Sequence, residues 1–258
     1  FNKIGIVSNP EPFKKMLFNG KVAASDGSAF SKSKGNGVDP LDIICSGYGA
    51  DALRTYLMFA APLEFNVRWD AQGVPGTYRF LFLFWNLVGE YQASEKIELN
   101  EELKQKLMFS THSMIKKVTQ DLEANHYNTA IAAAMACVND FYKLKTVGFG
   151  TGESWQAALE SLVACVAPFA PHISEELWEQ LGHTSSVHKD SWPKLNEQYL
   201  VEDTITVVIQ VNGKVRGEIE VGTDASKESI IEAAKANPKV AGYLDGQTVR
   251  KEIYVPGR

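Results

Sequence analysis

The hydrophobic period of this chain changes once, and that change constrains the fold more than any other feature. Between Val74 and Gly182, apolar residues recur at helical spacing in five successive segments, which predicts a bundle of helices. After Thr206 the period becomes two, and Asn212-Gly213 between two such runs predicts a β-hairpin with a two-residue turn. The chain is therefore expected to combine a helical bundle with a small α/β module.

Local signals add detail to the bundle. Asn100 and Asn128 are predicted to be the N-caps of two helices, and Gly182 is predicted to follow the end of the last one. The run 80–88 is apolar on nearly all sides, which predicts a deeply buried helix. Three tryptophans at apolar helical positions are expected in the core: Trp85, Trp155 and Trp178.

The small module is predicted to have a ββαβ order. The hairpin strands come first, and Asp224 is expected to cap a helix over 225–236. A third strand is predicted over 249–255. Lys214 and Arg216, two residues apart on the second hairpin strand, are predicted to point to one face, where they can hold phosphates.

A short polar loop over 28–36 places lysines, serines and a glycine together near the start of the chain. Ammonium and hydroxyl groups on such a loop can bind a polyphosphate. A solvated turn is the simpler explanation of the loop alone, but two segments that follow it change this interpretation. The first is Val38-Asp39-Pro40, in which Asp39 and Pro40 are typical of a helix start. The second is Tyr48-Gly49-Ala50-Asp51-Ala52-Leu53-Arg54, in which Asp51 is predicted to cap the next helix.

Together these segments resemble the Lys-Met-Ser-Lys-Ser signature loop of class I aminoacyl-tRNA synthetases and the helix that follows it. The nearest resemblance is to bacterial leucyl-tRNA synthetases. In that family the loop closes over ATP during activation of the amino acid, so the resemblance implies that Lys32 is a catalytic residue. It further implies that four residues bind the ATP phosphates: Ser31, Lys32, Ser33 and Lys34.

Two positions of the signature differ in this chain. Ala29 stands where the family has its first lysine, and Phe30 stands where it has methionine. Phenylalanine keeps an apolar side chain, whereas alanine removes a positive charge. We hypothesise that Lys34, just beyond the signature, partly substitutes for the missing lysine.

The rest of the chain carries the same resemblance. The string from Pro168 to Trp178 resembles the anticodon-binding-type helical domain of this synthetase subclass. The segments 210–217 and 253–257 resemble the C-terminal domain of leucyl-tRNA synthetases, which implies that Lys214 and Arg216 bind tRNA.

The predicted fold class is mainly α with small α/β parts. The predicted segments are the end of a Rossmann-type catalytic domain (1–72), a helical tRNA-binding bundle (73–182), a linker (183–203) and the ββαβ module (204–258). The chain begins at Phe1 rather than methionine and lacks the other active-site signature of the class, so we expect a fragment that is inactive alone.

The resemblance implies a part of a leucine–tRNA ligase, whose substrates are leucine, ATP accompanied by Mg²⁺, and leucine-accepting tRNA. Two alternatives stay open. One is a valine, isoleucine or methionine ligase of the same subclass, and the other is a non-catalytic RNA-binding module derived from a synthetase.

Composition limits the remaining possibilities. The net charge of −5 argues against nucleic-acid binding by bulk electrostatics, so tRNA contacts are expected from local basic patches. The three cysteines are scattered without a nearby histidine cluster, which predicts neither a zinc site nor a disulfide framework and is typical of a cytoplasmic protein. His172 is expected to be a packed or capping histidine rather than a metal ligand or an acid–base group. No membrane contact is predicted, and a monomer is expected.

Overall fold

A computed structural model of the chain describes residues 2–11, 13–151, 153–200, 204–222, 225–244 and 251–254. Contacts divide the chain into two compact units, residues 1–196 and 197–258. This division is coarser than the four predicted segments, whose boundaries stay a prediction. The first unit contains the polar loop and the helical bundle, and the second contains the hairpin.

The first unit opens with short pairings around the polar loop. Strand β1 (Val22–Ala23) pairs in parallel with β2 (Val67–Arg68), and Ala23 also pairs antiparallel with Ala29. Helix α1 (Pro40–Ile43) follows the loop. Its N-cap is Asp39, whose carboxylate accepts a 2.9 Å hydrogen bond from the Leu41 N–H, as predicted. A π-helical turn, Ile44–Tyr48, then leads into helix α2 (Gly49–Phe59).

Five further helices form the bundle, as the hydrophobic period predicts. They are α3 (Gly73–Ala93), α4 (Glu101–Glu123), α5 (Tyr127–Leu144), α6 (Glu153–Val166) and α7 (Pro171–Gln180). Short strands β3 (Lys96–Ile97) and β4 (Phe149–Gly150) pair in parallel. Helix α4 packs against α5 and α6, while α2 packs against α3 and α5, so the segment after the polar loop is part of the same packed unit.

Aromatic side chains fill the centre of the bundle. Trp155, Phe84, Phe141 and Phe169 are among its largest fully buried side chains. The Trp155 ring meets Phe141 edge to face at 5.4 Å and Phe149 at 4.9 Å between ring centroids. Each buried ring of this size contributes about 1.5–3 kcal/mol relative to an exposed one, so this cluster is a main source of stability.

Among the helix ends predicted for the bundle, two are confirmed and one is wrong. Asn100 caps α4 by accepting a 2.8 Å hydrogen bond from the Leu103 N–H, and Gly182, with φ of 101°, follows the end of α7. Asn128 is not a cap, because α5 already begins at Tyr127. The tight turn after α4 brings the chain into helical conformation two residues earlier than the sequence signal indicates, because His126 rather than Asn128 is the N-cap position.

The prediction that the run 80–88 is buried on nearly all sides is wrong in part. Phe84, Leu87 and Val88 are fully buried, but Phe82 is 52% exposed and Trp85 is 38% exposed. Trp85 is therefore not a core residue, whereas Trp155 and Trp178 are buried as predicted. The neighbouring helices cover only part of α3, and an apolar sequence does not show which faces will be covered.

The second unit contains the predicted hairpin. Strands β5 (Thr204–Val211) and β6 (Lys214–Gly222) pair antiparallel. The turn residues Asn212 and Gly213 have φ of 53° and 74°. Both values lie in the left-handed region that a type I′ turn requires, which confirms the Asn-Gly signal.

Two helices follow the hairpin, α8 (Lys227–Ala236) and α9 (Pro238–Leu244). Ser226 caps α8 by accepting a 3.2 Å hydrogen bond from the Ser229 N–H; the predicted cap, Asp224, lies outside the described residues. Of the predicted third strand, only residues 251–254 are described, and they have no strand assignment.

None of the helices in the described ranges combines the length and the apolar content needed to cross a membrane.

Candidate functional site

The polar loop folds into a single helical turn. Residues Lys32–Lys34 form a 3-10 turn, with Ser31 in extended conformation before it and Gly35 in left-handed conformation after it. The Gly35 N–H donates to the Lys32 carbonyl at 3.3 Å, and the Lys34 N–H donates to the Ser31 carbonyl at 3.1 Å. This turn presents consecutive side chains of one short segment to solvent.

Asn36 holds the two ends of the loop together. Its side-chain oxygen accepts a 2.8 Å hydrogen bond from the Ser31 N–H. Its amide nitrogen donates to the Ser28 hydroxyl at 3.0 Å and to the Ala29 carbonyl at 3.2 Å. We did not assign this role from the sequence. The available signal was an asparagine at the end of a polar loop, where short amide side chains commonly bond to nearby backbone.

The predicted phosphate-binding residues lie together on this turn. Lys32, Ser33 and Lys34 are exposed and Ser31 is half-buried, and the hydroxyls of Ser31 and Ser33 are 2.8 Å apart. No ion pair involving Lys32 occurs within the described ranges. The arrangement can offer ammonium and hydroxyl groups to an anion, which is the chemistry that the sequence predicts.

The Asp26 carboxylate beside the loop interacts with the charge of Lys34, and this distinguishes Lys34 from Lys32. The Asp26 side chain accepts a 2.8 Å hydrogen bond from the Ser28 N–H. Hydrogen bonds from the Ser28 backbone and then its hydroxyl lower the Asp26 pKa, and the nearby positive charge of Lys34 lowers this pKa further. The charge of Lys34 is thus partly offset by a neighbour within the loop.

Asp51 does not cap its own helix, contrary to the prediction. It lies in the first turn of α2, and its carboxylate instead reaches the start of α7. There it accepts a 2.8 Å hydrogen bond from the Ile173 N–H and contacts the His172 Nδ1 at 2.8 Å. Asp51 is therefore the N-terminal capping group of a helix more than a hundred residues away in sequence, and it ties the segment after the polar loop to the bundle.

His172 is neither packed nor a helix cap, which differs from the expectation; it contacts the carboxylate of Asp51, the group that caps α7. Its side chain is 75% exposed, and its bonded partner is Asp51. The residues that the structure describes contain no group of three or more histidine, cysteine or carboxylate side chains placed to hold a metal ion.

Cys45, Cys137 and Cys165 are free thiols, and burial raises the pKa of Cys137 to about 12.

An aromatic cleft, which was not predicted from the sequence, lies between α2, α3 and α7. It has a volume of about 400 Å³, and the Tyr48 and Tyr78 rings meet edge to face in it at 5.6 Å. Phe82 and Trp85 line the same cleft. The missed signal was the aromatic spacing of Tyr78, Phe82 and Trp85, which places these residues on one stripe of α3.

The two predicted tRNA-binding residues have different environments. Lys214 is exposed next to the hairpin turn. Arg216 lies at a β-bulge, because Ile209 pairs with Gly217 and Gln210 pairs with Val215. A bulge interrupts the alternation of side chains, so the two-residue spacing no longer places Lys214 and Arg216 on one face.

Arg216 is held by an aromatic side chain. Its guanidinium lies 4.2 Å from the centre of the Tyr243 ring, and its Nη1 donates to the Tyr243 hydroxyl at 3.1 Å. This stacking fixes the guanidinium on α9. Lys214 is consequently the freer of the two cations at this end of the hairpin.

Comparison with known proteins agrees with this arrangement. The family model "tRNA synthetases class I (I, L, M and V)" matches residues 4–70, and "Anticodon-binding domain of tRNA ligase" matches residues 104–231. The first match contains the polar loop, and the second contains most of the bundle and the hairpin.

Curated relatives cover nearly the whole chain. A leucine–tRNA ligase of Deinococcus radiodurans is 42% identical over 99% of this chain, and one of Chlorobaculum parvum is 40% identical over 99%. The chain spans only 31% of the length of each of these relatives.

The solved structures that resemble this chain are also aminoacyl-tRNA synthetases. A LeuRS of Agrobacterium radiobacter K84, in a ternary complex with tRNA and LeuAMS, matches with a TM-score of 0.68 at 31% identity. This match covers 99% of the chain and 33% of that protein. A Mycobacterium tuberculosis methionyl-tRNA synthetase bound by methionyl-adenylate shares the fold, with a TM-score of 0.54 at 15% identity over 64% of this chain and 38% of that one.

A Lys-Ser-rich loop joined to a helical domain of the anticodon-binding type defines a class I aminoacyl-tRNA synthetase. Within this class, the relatives that the chain resembles over 99% of its length are leucine–tRNA ligases, and the chain corresponds to 31% of their length.

Proposed function

We propose that this chain is the part of a leucine–tRNA ligase that closes over ATP and binds tRNA. The observation that carries the proposal is the exposed cationic turn Lys32–Lys34, ordered by Asn36, in a chain that is 42% identical to a leucine–tRNA ligase. The complete enzyme joins leucine to AMP and then transfers it to the terminal ribose of leucine-accepting tRNA. Because the chain spans 31% of its relatives' length, we expect it to be inactive alone.

The first reaction explains why the loop needs positive charge. A carboxylate oxygen of leucine bonds to the α-phosphorus of ATP, while the bond from that phosphorus to the bridging oxygen breaks and pyrophosphate leaves with the electron pair. Negative charge therefore grows on the leaving group. A cation that meets this charge mainly in the transition state accelerates the step.

The geometry supports separate roles for the loop residues. Lys32 is the proposed catalytic residue, because it is exposed and has no ion pair within the part of the chain that is described. Ser31, Ser33 and Lys34 are proposed to bind the phosphates of ATP. We propose that Mg²⁺ accompanies ATP as part of the substrate, bound through phosphate oxygens rather than by a dedicated protein cage.

The test uses the full-length ligase that carries this sequence and measures leucine-dependent exchange of pyrophosphate into ATP. Lys32→Ala should lower kcat about 100-fold, the usual effect of removing one group that stabilises transition-state charge. Lys227→Ala, which removes an exposed lysine at the start of α8, is the matched control and should leave exchange unchanged.

The outcomes separate the alternatives. Exchange that survives Lys32→Ala would exclude the proposed role of this residue. Exchange stimulated by valine, isoleucine or methionine rather than leucine would assign the chain to another ligase of the subclass. A wild-type protein that binds tRNA but shows no exchange with any of these amino acids would be a non-catalytic RNA-binding module.

The tRNA part of the proposal concerns the hairpin. Lys214 and Arg216 are proposed to bind tRNA phosphates, with Lys214 exposed beside the turn and Arg216 ordered by Tyr243. Lys214→Glu should weaken tRNA binding by the 258-residue chain and reduce the slope of log affinity against log salt by about 1, because one fewer counterion is released.

Fluorescence anisotropy with labelled tRNA at several salt concentrations measures both quantities. Lys227→Glu makes the same charge change elsewhere in the unit and serves as the control. A salt slope that is the same for Lys214→Glu and wild type would remove Lys214 from the tRNA surface.

A further inference from the structure

The short pairings beside the polar loop place Arg68 on the same face as Ala29. Ala23 is the direct partner of Arg68 in the parallel pair and of Ala29 in the antiparallel bridge. Directly paired residues project to the same face of a sheet, so all three side chains share one face. Since neighbouring strands are about 4.8 Å apart, the Cα atoms of Ala29 and Arg68 are separated by about 10 Å.

The Arg68 side chain crosses this face toward the loop. A Cβ placed on Gly27 would lie 3.1 Å from the Arg68 Nε and 3.3 Å from its Cζ, so the guanidinium rests against Gly27. Gly27 has φ of 83° in the turn between Ala24 and Ser28. A glycine meets both requirements here, because it adopts this φ without strain and leaves room for the guanidinium. The positive group is thereby held against the turn that enters the loop.

The backbone that carries Arg68 is firmly fixed. Trp69, the next residue, packs edge to face on Tyr56 with ring centroids 5.2 Å apart. The Tyr56 hydroxyl accepts a 3.0 Å hydrogen bond from the Asp70 N–H. Side chains alternate here, so Trp69 turns toward α2 while Arg68 stays exposed. Because the strand is anchored, only the side chain of Arg68, and not its backbone, loses freedom when the guanidinium binds an anion.

The charges around the loop leave Arg68 uncompensated. The hydrogen bonds from Ser28 are the main cause of the lowered pKa of Asp26, and the positive charge of nearby Lys34 lowers this pKa further. Ala29 contributes no charge. Arg68 has no ion pair with any carboxylate in the described ranges. Two cations next to the loop, Lys32 and Arg68, are therefore available to a polyphosphate without breaking an existing pair.

We propose that Arg68 is a further nucleotide-binding residue, whose guanidinium binds phosphate oxygens of ATP and supplies positive charge on the face where Ala29 supplies none. The proposal rests on the proposed function of the loop. A guanidinium suits this task because its planar donors match two oxygens of one phosphate. It also differs from the hypothesis that Lys34 replaces the missing lysine, since Arg68 reaches the loop from a neighbouring strand.

The experiment measures leucine-dependent ATP–pyrophosphate exchange in the full-length ligase that carries this sequence. Arg68→Ala should lower kcat/KM for ATP about tenfold or more, because a hydrogen bond to a charged group is lost, while the KM for leucine stays unchanged. Arg79→Ala removes an exposed arginine from α3 and should leave both parameters unchanged. Lys34→Ala, measured in parallel, should have a smaller effect than Arg68→Ala.

A rescue variant separates a charge effect from a structural one. Adding Ala29→Lys to Arg68→Ala places a cation on the same face from the adjoining position, and it should restore most of the lost kcat/KM for ATP. A merely structural role of Arg68 would not be rescued in this way. Arg68→Gln keeps the long side chain but not the charge, so it should lose as much exchange as Arg68→Ala while retaining the wild-type melting temperature.

The outcomes distinguish this proposal from the proposed function. A wild-type enzyme without exchange would overturn both. An active wild type with an Arg68→Ala variant within twofold of it would overturn the role of Arg68 alone. Loss of exchange without rescue by Ala29→Lys, or loss in step with a lowered melting temperature for both Arg68 variants, would also overturn it.

Discussion

The bundle and the polar loop of this chain are ordered by different forces. Trp155 at the centre of the bundle is 1% exposed and packs against the rings of Phe141 in α5 and Phe149 in β4, whereas the lysines of the turn Lys32–Lys34 are exposed. The loop is held mainly by the hydrogen bonds of Asn36 to residues within eight positions of it. Burial thus stabilises the bundle, and local hydrogen bonds shape a loop that stays accessible to a ligand.

Asp51 connects these two regions. It lies in the helix that follows the loop, and it caps the bundle helix α7 through the Ile173 N–H. Because the loop, α1 and α2 are consecutive in the chain, this contact sets where the loop leaves the bundle. Three substitutions, in decreasing order of expected effect on stability, test the contrast between the regions.

The largest effect is expected in the bundle core. Trp155→Ala should lower the free energy of unfolding of the chain by about 3–5 kcal/mol, because it removes a fully buried ring and leaves a cavity. Urea unfolding followed by circular dichroism measures the change. Trp85→Ala is the matched control, since Trp85 is 38% exposed and should cost clearly less. Equal losses for the two variants would mean that burial does not distinguish these positions.

An intermediate effect is expected at the contact between the regions. Asp51→Ala leaves the Ile173 N–H without its capping acceptor and should lower the free energy of unfolding by about 1–2 kcal/mol. Asp51→Asn keeps an acceptor oxygen and should cost less. Amide hydrogen exchange at the start of α7 should be faster in the alanine variant. Unchanged exchange there would show that the cap does not hold this helix end.

Some features of these regions were predicted correctly from the sequence and others were not. The difference is whether a feature depends on residues nearby in the sequence or on residues far away in it. The caps at Asp39 and Asn100 and the turn at Asn212-Gly213 depend on residues a few positions away, so local patterns were sufficient. The predicted assignments of Asp51 and Trp85 were wrong because each depends on which distant helix packs beside it.

The candidate site likewise contains residues that could be found from the sequence and a residue that could not. The resemblance identified the segment that contains Ser31, Lys32, Ser33 and Lys34, and the structure gathers them on one turn. The sequence did not indicate Arg68, because its approach to the loop comes from strand pairing across 45 positions, between Ala23 and Arg68. A loop motif can be found in a linear pattern, but a residue supplied by a neighbouring strand requires the fold.

The smallest effect on stability is expected at Asn36, and it tests whether the loop is independent of the core. Asn36→Ala removes three hydrogen bonds, yet all of them lie within an accessible loop, so the free energy of unfolding should change by less than about 0.5 kcal/mol. The local effect should be larger: the Ser31 N–H loses its acceptor, and its hydrogen exchange should accelerate. Asn36→Asp keeps an acceptor for that N–H but no longer donates to Ser28 and Ala29, so the Ser31 amide should stay more protected than in the alanine variant. A loss of global stability as large as that of Asp51→Ala would contradict the contrast, because it would make the loop part of the cooperative core.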